Sequence, residues 1–315
     1  MAARRLPANV QMTRFLIEPR APFRLDLTAW ALRRRAHNAI DRWTGSSYER
    51  VLRFDGDGPY ALSVTQEEGL LAVSLGRRQA GESAERLAGT ALERILGLHA
   101  DLAPFAAMAE EDPWLGPLAQ RMRGLKPPRF PSVFEALVNG IACQQLSLVV
   151  GIHLLNRLTA AHGRPVSADA DGPRAFPDPD QLASLQPESL MSHGFSLSKA
   201  RTIVDAAHAI VAGELELEAL ERLDDRTVME RLTGLRGVGR WTAEYVMLRG
   251  LGRLEIFPGD DVGAHNSLSR HFDMGTPMDY ESVQRLVARW QPYAGMVYFH
   301  LLLDSLSRSG FVSAP

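Results

Sequence analysis

Two glycines between two helical segments are the feature that most constrains how this 315-residue chain can fold. Gly237 and Gly239 stand in the run LRGVGRWTA at residues 235–243, where one apolar helical pattern stops and another begins. Glycine lets the backbone turn tightly and approach a ligand closely. The helix predicted to open at about Arg240 offers unpaired N–H groups and its positive dipole end, which suits one phosphate. The run predicts a phosphate-binding helical hairpin, with an ordinary helix connection as the alternative.

A helix and an acidic loop follow this turn. Apolar residues at helical spacing across 241–248 predict a helix that is ended by Gly250 and Gly252. The sequence IFPG at 256–259 predicts a short apolar strand or turn, and the acidic pair at 260–261 comes directly after it. The chain therefore combines a phosphate site with a carboxylate about twenty residues further on.

This order resembles the helix-hairpin-helix DNA glycosylases, in which a Gly/Pro-rich loop and a catalytic aspartate follow the hairpin. Within them the chain looks most like the alkylated-base branch, DNA-3-methyladenine glycosylase II. Residues 134–147, 176–210 and 290–300 resemble further segments of that family in the same order. The resemblance covers roughly residues 20–310.

The first hundred residues contain sequence patterns that are typical of β-strands. Short β-type runs at 51–54, 60–64 and 70–75 are separated by polar, glycine-containing turns, which predicts an antiparallel meander. Alternation at Phe23, Leu25 and Leu27 predicts one more strand. A helix is predicted from Ala29 to Ala39, with the basic triplet 33–35 facing water or, alternatively, touching DNA.

A helix predicted from Ser83 to Leu98 leads into a region that is helical to the end of the chain. The expected fold class is α+β, with a small antiparallel β-sheet domain packed on an all-α helix-hairpin-helix glycosylase core. We expect the first domain to span residues 1–110 and the two-lobed core 111–315, with the hairpin at about 230–250 and the Gly/Pro-Asp loop at about 256–262.

The resemblance implies that Asp261 is the catalytic residue. When a glycosidic bond to C1′ of deoxyribose breaks, the sugar gains oxocarbenium character, which a nearby carboxylate stabilises. An alkylated purine already carries positive charge and leaves as a neutral base, so one carboxylate can suffice and can also orient water. Asp260 is the alternative, because adjacent side chains on a loop point in different directions. Either aspartate could instead cap the helix that follows.

The residue at position 241, a tryptophan here, indicates whether a glycosylase of this family would also cut the DNA backbone. In relatives that also cut the DNA backbone, a lysine that forms a Schiff base with the sugar stands directly before the Thr-Ala pair. The chain has only two lysines, Lys126 and Lys199, and neither lies in the hairpin or beside the aspartates. A monofunctional enzyme without lyase activity is therefore expected.

The family resemblance also implies a base pocket. Trp241 and Tyr245 would form walls that stack on an electron-poor base, although Trp241 could also be a plain core aromatic. Val262 and Leu302 stand where further aromatic residues are familiar in the family, so weaker stacking is expected. Gln145 occupies the position of the residue that fills the gap left by the flipped nucleotide. Its alternative role is that of an ordinary helix-terminus residue.

The hairpin is expected to hold one DNA phosphate. By resemblance, a monovalent cation, Na⁺ or K⁺, would bind through the backbone carbonyls of Thr233, Leu235 and Val238. The residues expected to bind the phosphate are Leu235, Gly237, Val238, Gly239, Arg240 and Thr242.

Composition sets limits on partners and cofactors. The net charge of −2 and pI near 6.5 predict local rather than broad electrostatic contact with DNA. Cys143 is the one cysteine, which excludes an internal disulfide and a four-cysteine iron–sulfur cluster. No zinc spacing or dinucleotide motif occurs, so no organic cofactor is expected. No apolar run approaches eighteen residues, which predicts no membrane span. A cytoplasmic monomer that acts on chromosomal DNA is expected.

The expected function is base excision repair, in which alkylated purines such as 3-methyladenine are removed from duplex DNA by hydrolysis of the N-glycosidic bond. The product is an abasic site. One alternative is a glycosylase of the same fold for another damaged base. The other is a non-catalytic helix-hairpin-helix DNA-binding protein.

Overall fold

An antiparallel sheet forms the N-terminal part of the fold. The computed structural model describes residues 12–54, 58–76, 82–167, 172–272 and 278–312. Within them the five strands follow the order β1-β5-β4-β3-β2, and neighbouring strands pair antiparallel. The strands are β1 (Met12–Ile17), β2 (Arg42–Trp43), β3 (Ser47–Arg53), β4 (Pro59–Glu67) and β5 (Leu70–Gly76).

The rest of the described chain is helical, which confirms the predicted α+β class. No described helix has both the length and the apolar character that crossing a bilayer requires. The helices are α1 (Leu25–Arg33), α2 (Glu82–Leu96), α3 (Ala103–Glu111), α4 (Leu115–Arg121), α5 (Val133–Cys143), α6 (Leu148–His162), α7 (Pro179–Ala183), α8 (Pro187–Met191), α9 (Leu197–Val211), α10 (Asp225–Thr233), α11 (Arg240–Val246), α12 (Val262–His271), α13 (Tyr280–Val287) and α14 (Ala294–Arg308).

Three apolar clusters divide the interior. One fills the space between the sheet and α1 and α2, and includes Leu62, Val73 and Leu92. A second joins α5, α6, α9, α10 and α11. The third joins α3, α4, α12, α13 and α14, with Trp290 and Phe299 buried in it. The predicted domain division at residues 110 and 111 falls at the end of α3 and stays a prediction.

Helix α1 corrects two sequence predictions. The strand expected across Phe23, Leu25 and Leu27 is wrong, because α1 begins at Leu25. Leu25 packs in the sheet cluster and Leu27 in the cluster around α14. A helix that is buried on two sides carries no single apolar stripe, so its pattern does not show the helical period.

The helix predicted across 29–39 is also shorter than expected. It ends at Arg33, and Arg34 caps it in the left-handed conformation (φ 60°) with its N–H bonded to the Trp30 carbonyl. Arg34 does not face water, since only 3% of its surface is exposed. Its side chain reaches the interior of the helical core instead.

The hairpin helix runs further than the glycines suggest. Helix α11 continues as a π-turn over Met247–Leu251 and ends at Gly252 (φ 76°). Gly250 does not end it. A Cβ atom there would lie 2.9 Å from the Cβ of Ala136, so this glycine lets α5 approach closely. Residues 256–259 form no strand.

A buried ion-pair cluster ties the sheet to the core. Arg50 on β3 donates to Asp41 at 2.6 Å and to Glu135 on α5 at 2.5 Å, and all three residues are at least 95% buried. Burial raises the pKa of the Glu135 carboxyl, while the Arg50 charge opposes that rise. Each charge needs its partner here, because a lone buried charge is costly.

We expect the Arg50→Ala substitution to lower the free energy of unfolding by about 3–5 kcal/mol, because it leaves two buried carboxylates without their cation. The matched control is Arg42→Ala, which removes a partly exposed pair with Glu49 and should cost less than about 1 kcal/mol. Urea unfolding of both variants measures the difference. Equal losses would contradict a structural role for the buried cluster.

Candidate active site and nucleic-acid interface

A cavity of about 1080 Å³ opens where the hairpin turn, the α5–α6 turn, α12 and α14 meet. The predicted pocket residues Trp241, Tyr245, Val262 and Leu302 all line it, as do both aspartates and Gln145. The structure therefore brings the predicted site residues together, although they come from distant parts of the chain. The hairpin contributes to its lining through Gly237, Gly239 and Thr242.

The carboxylate of Asp261 faces this cavity and also caps α12. Its Oδ1 accepts from the backbone N–H of Ala264 at 2.9 Å. Its Oδ2 accepts from the indole N–H of Trp241 at 3.3 Å and from the hydroxyl of Tyr298 at 3.2 Å. The cap and the pocket contacts are compatible, because each uses a different oxygen. Three donors from α11, α12 and α14 fix the orientation of this one side chain.

Asp260 points elsewhere. It accepts from Arg240 at 2.9 and 3.0 Å, and the Arg240 guanidinium lies 3.5 Å from the centre of the Tyr280 ring. It does not act as the cap of α12, since Asp261 does. Its charge is therefore directed at the first residue of α11 rather than at Tyr298.

Three aromatic residues line the cavity and are called the aromatic wall: Trp241 and Tyr245, which the sequence analysis predicted, and Tyr298, which it missed. The rings of Trp241 and Tyr245 stack with centres 5.4 Å apart. Val262 is 71% exposed at the mouth, so it adds little to the wall. Tyr298 is the missed member: it sits on the strongly apolar α14, where it reads as a core aromatic. Burial and the adjacent Asp261 charge raise the pKa of its hydroxyl well above the usual range.

The loop before Asp261 is clamped by buried polar groups. Glu244 on α11 accepts from the N–H of Gly259 at 3.1 Å and from the hydroxyl of Tyr280 at 2.6 Å. His265 forms a hydrogen bond with the Gly259 carbonyl through its Nε2. Burial raises the pKa of Glu244 to about 7, against the lowering effect of these donors. The backbone two residues before Asp261 is thereby fixed to the hairpin helix.

The α5–α6 turn is joined to the hairpin. Gln144 donates from its Nε2 to the Gly237 carbonyl at 2.9 Å and to the Thr242 hydroxyl at 2.8 Å. Lys199 donates to the Gln144 carbonyl at 2.7 Å. Gln145 itself is exposed and adopts a left-handed φ of 53°, which is uncommon for a residue with a side chain. Its gap-filling role stays a prediction.

The hairpin turn needs its first glycine. Gly237 has φ 78°, and a Cβ atom on it would lie 2.3 Å from the Thr202 hydroxyl. Gly239 precedes α11 as its N-cap, so the first N–H groups of that helix lie at the turn. The Thr242 side chain is buried against Gln144. Only 1% of the Thr242 surface is exposed, and its contact with a phosphate stays a prediction.

Metal-binding side chains do not cluster in the part of the chain that the structure describes. No group of three or more His, Cys, Asp or Glu residues there is arranged to hold an ion. Cys143 is buried, and burial raises the pKa of its thiol.

The raised pKa of Glu244 predicts a pH-dependent stability. The folded chain holds this proton up to about pH 7, whereas the unfolded chain loses it near pH 4.5. This stabilising contribution is therefore present below pH 4.5 and is lost as the pH rises through 7, on the order of 3 kcal/mol. In urea unfolding from pH 4.5 to 8, the Glu244→Gln variant should lack this decrease in the free energy of unfolding. The control Glu281→Gln, at an exposed position, should follow the native curve, and an unchanged fall in Glu244→Gln would contradict the assignment.

The chain is similar to known proteins over most of its length. It is 30% identical to a DNA-3-methyladenine glycosylase of Bacillus subtilis over 64% of this chain and 66% of that protein. It is 29% identical to DNA-3-methyladenine glycosylase 2 of Escherichia coli over 59% of this chain and 63% of that protein. Each alignment thus spans less than two thirds of the relative. The solved structure of a 3-methyladenine DNA glycosylase from Archaeoglobus fulgidus superposes with a TM-score of 0.81 and 25% identity, covering 95% of this chain and 100% of that chain.

Two family models match adjacent parts of the chain. Residues 15–132 match the AlkA N-terminal domain, and this range contains the sheet except for the first three residues of β1. Residues 138–292 match the HhH-GPD superfamily base excision DNA repair protein, and this range contains the hairpin and both aspartates. Over residues 138–292 the chain therefore carries a domain that matches the HhH-GPD superfamily of base excision DNA repair proteins.

Proposed function

We propose that this protein is a monofunctional DNA glycosylase that hydrolyses the N-glycosidic bond of alkylated purines such as 3-methyladenine in duplex DNA. The observation that carries the proposal is the Asp261 carboxylate, held at the cavity wall by Trp241 and Tyr298. The names of the similar glycosylases support the same substrate class. The product is an abasic site.

Asp261 acts on the sugar rather than on the base. As the bond to C1′ breaks, positive charge builds on the deoxyribose ring, and the fixed carboxylate stabilises it without reorganising. The same side chain orients the water that attacks C1′. The alkylated base leaves as a neutral molecule, so it needs little help from an acid. Trp241 and Tyr245 hold its ring in the cavity.

The absence of lyase activity follows from where the amines lie. Trp241 occupies the position at which a Schiff-base lysine would stand. The amino group of Lys199 donates hydrogen bonds to the carbonyls of Ala142 and Gln144, and that of Lys126 donates to the Ala100 carbonyl. Lys199 lines the same cavity as Asp261, but its amine is held by these two carbonyls, and Lys126 does not line the cavity.

The DNA is held at the hairpin and at the α5–α6 turn. The N-terminus of α11 takes one phosphate through its free N–H groups. The exposed Gln145 enters the stack and hydrogen-bonds the base left without its partner. The near-neutral net charge of −2 suits a small, local contact. The protein acts on chromosomal DNA, as a monomer in the cytoplasm.

The hairpin also offers oxygen ligands for Na⁺ or K⁺. Among the described residues, the carbonyls of Thr233 and Val238 accept no hydrogen bond, and that of Leu235 accepts one, from Val238. Neutral carbonyl oxygens are suitable donors for a hard cation. A cation held there would add positive charge beside the bound phosphate.

The aspartates provide the direct test of the chemistry. In duplex DNA treated with a methylating agent, we expect Asp261→Asn to slow the release of 3-methyladenine at least about 100-fold, because the sugar cation loses its carboxylate. The matched variant Asp260→Asn should retain most of the activity, since that side chain pairs with Arg240. Free base is measured by chromatography, and abasic sites are scored separately from nicks.

Two outcomes would count against this proposal. Base release that survives in Asp261→Asn but is lost in Asp260→Asn would transfer the role to Asp260. Strand breaks without alkali treatment would contradict the monofunctional assignment.

The hairpin provides a test of DNA binding. Gly237→Ala forces a Cβ atom onto Thr202 at a φ of 78°, and should lower the affinity for duplex DNA at least about tenfold because the turn must move. Gly213→Ala is the control: its φ of 74° imposes the same backbone strain, but no atom lies within 4 Å of the added carbon. Fluorescence anisotropy with an abasic-site duplex measures both. Equal effects would mean that the hairpin turn does not bind the DNA.

A further inference from the structure

The two arginines that flank the hairpin glycines are both ion-paired with acids from neighbouring segments. Arg236 and Arg240 stand on either side of the segment 237–239. The Arg236 guanidinium donates to the carboxylate of Asp205 on α9. The Arg240 guanidinium donates from its Nε and Nη2 to the carboxylate of Asp260 at 3.0 and 2.9 Å. Each side of the turn therefore carries one cation whose charge a carboxylate neutralises.

Both ion pairs lie at the surface, where such pairs are weak. The side chains of Arg236 and Asp205 are 61% and 57% exposed, and those of Arg240 and Asp260 are 48% and 37% exposed. Water competes for both partners of an exposed pair, which therefore contributes little to stability. Both Arg240 bonds end on the same oxygen, Oδ2, so this pair lacks the two parallel bonds of the strongest arginine–carboxylate arrangement. Another anion can therefore replace either carboxylate at little cost.

An aromatic ring keeps Arg240 at the turn independently of its anionic partner. The guanidinium lies 3.5 Å from the centre of the Tyr280 ring, and this cation–π contact does not use its N–H groups. The Tyr280 hydroxyl is fixed in turn by Glu244, to which it donates at 2.6 Å. Tyr280 thus holds the cation beside the first turn of α11 while its N–H groups change acceptor.

The surface beside Arg236 has an excess of positive charge. A groove of about 370 Å³ is lined by Arg236, Asp205 and His208, and also by Arg201, which lies one helical turn before Asp205 on α9. Within the described ranges of the chain, no hydrogen bond or ion pair engages the Arg201 side chain. Two arginines therefore face one carboxylate in this groove, and the excess charge suits an anion.

The backbone of duplex DNA is the anion that can meet both sides of the turn. Under the proposed function, the N-terminus of α11 takes one phosphate between the two arginines. A DNA strand held there brings the neighbouring phosphates towards Arg236 and Arg240. Arginine binds phosphate through two parallel N–H groups, which makes phosphate a stronger partner than an exposed carboxylate that is bound through one oxygen.

We propose that Arg236 and Arg240 exchange their carboxylates for phosphates when duplex DNA binds, and that Asp205 and Asp260 thereby keep the affinity for undamaged DNA low. The inference rests on the proposed function and deepens it. Each exchange leaves one carboxylate unpaired beside the DNA backbone, and its repulsion offsets part of the attraction between arginine and phosphate. Weak general binding suits a glycosylase, since it must move along DNA to find a lesion.

The test measures the affinity of the full chain for an undamaged duplex by fluorescence anisotropy while the salt concentration is varied. Asp205→Asn and Asp260→Asn should each bind about two- to fivefold more tightly at low salt, because an arginine loses its competing partner. The slope of log K against log salt should steepen by about 0.9 for each variant, the value for one added phosphate contact. The control Glu49→Gln makes the same charge change at a pair of similar exposure with Arg42 and should alter neither quantity.

Double variants show whether the gain in affinity depends on the arginines. Arg236→Gln should weaken binding, and adding Asp205→Asn to it should restore nothing, because the cation that the acid neutralised is gone. Arg240→Gln and Asp260→Asn should behave in the same way. A folding defect does not imitate a gain in affinity that occurs only when the arginine is present.

The outcomes separate this inference from the proposed function. Unchanged or weaker binding by Asp205→Asn and Asp260→Asn would overturn the inference. An equal steepening in Glu49→Gln, or a gain that persists without the arginine, would overturn it too. In each of these cases, release of methylated bases by the native protein would leave the proposed function intact. A native protein that neither binds the duplex nor releases any base would overturn the proposed function and this inference with it.

Discussion

The bonding of one carboxylate holds the site together. Asp261 uses one oxygen to begin α12 and offers the other to donors on α11 and α14. Its position is therefore determined by three helices from the hairpin, the loop and the closing segment of the core. A carboxylate stabilises a short-lived sugar cation effectively only if it is already oriented before the reaction. Reorienting it during the reaction would use up the free energy that its charge contributes. The Trp241 indole serves this purpose and forms part of the pocket wall at the same time.

The supporting contacts connect the parts that would touch DNA. Gln144 joins the α5–α6 turn to the hairpin, and Lys199 fixes that turn from α9. Glu244 joins the hairpin helix to the loop at Gly259. The hairpin turn, the α5–α6 turn that carries the exposed Gln145, and the Asp261 carboxylate thus belong to one continuous framework. Under the proposed function, this framework is what allows DNA bound at the hairpin to place its sugar at Asp261.

The local parts of this site could be predicted from sequence, and the distant parts could not. The glycines at 237 and 239 and the aspartates at 260 and 261 act within short segments, so their spacing carries the information. Arg34 bonds to residues 105 and 211 positions away. Its basic neighbours made the segment look solvated, whereas tertiary contacts bury it. Tyr298 was missed because it stands among the apolar residues of α14.

In the β-rich domain, too, contacts between distant parts of the chain limited what could be predicted from the sequence. Helix α1 lies between the sheet and the helical core, so its apolar residues face both sides and mimic strand alternation near Leu25 and Leu27. Strands β3, β4 and β5 contain the apolar runs that were predicted, whereas β1 and β2 were not predicted. Burial on two sides removes the periodicity on which such predictions depend.

The central claim is that Asp261 stabilises a cationic sugar. The most direct measurement compares the affinity for two abasic duplexes, one with a positively charged pyrrolidine ring in place of the sugar and one with a neutral tetrahydrofuran ring. We expect the native protein to bind the charged ring at least about 100-fold more tightly, as for other mimics of a transition state, and Asp261→Asn to lose most of that preference. An unchanged preference in the variant would show that the carboxylate does not act on the sugar charge.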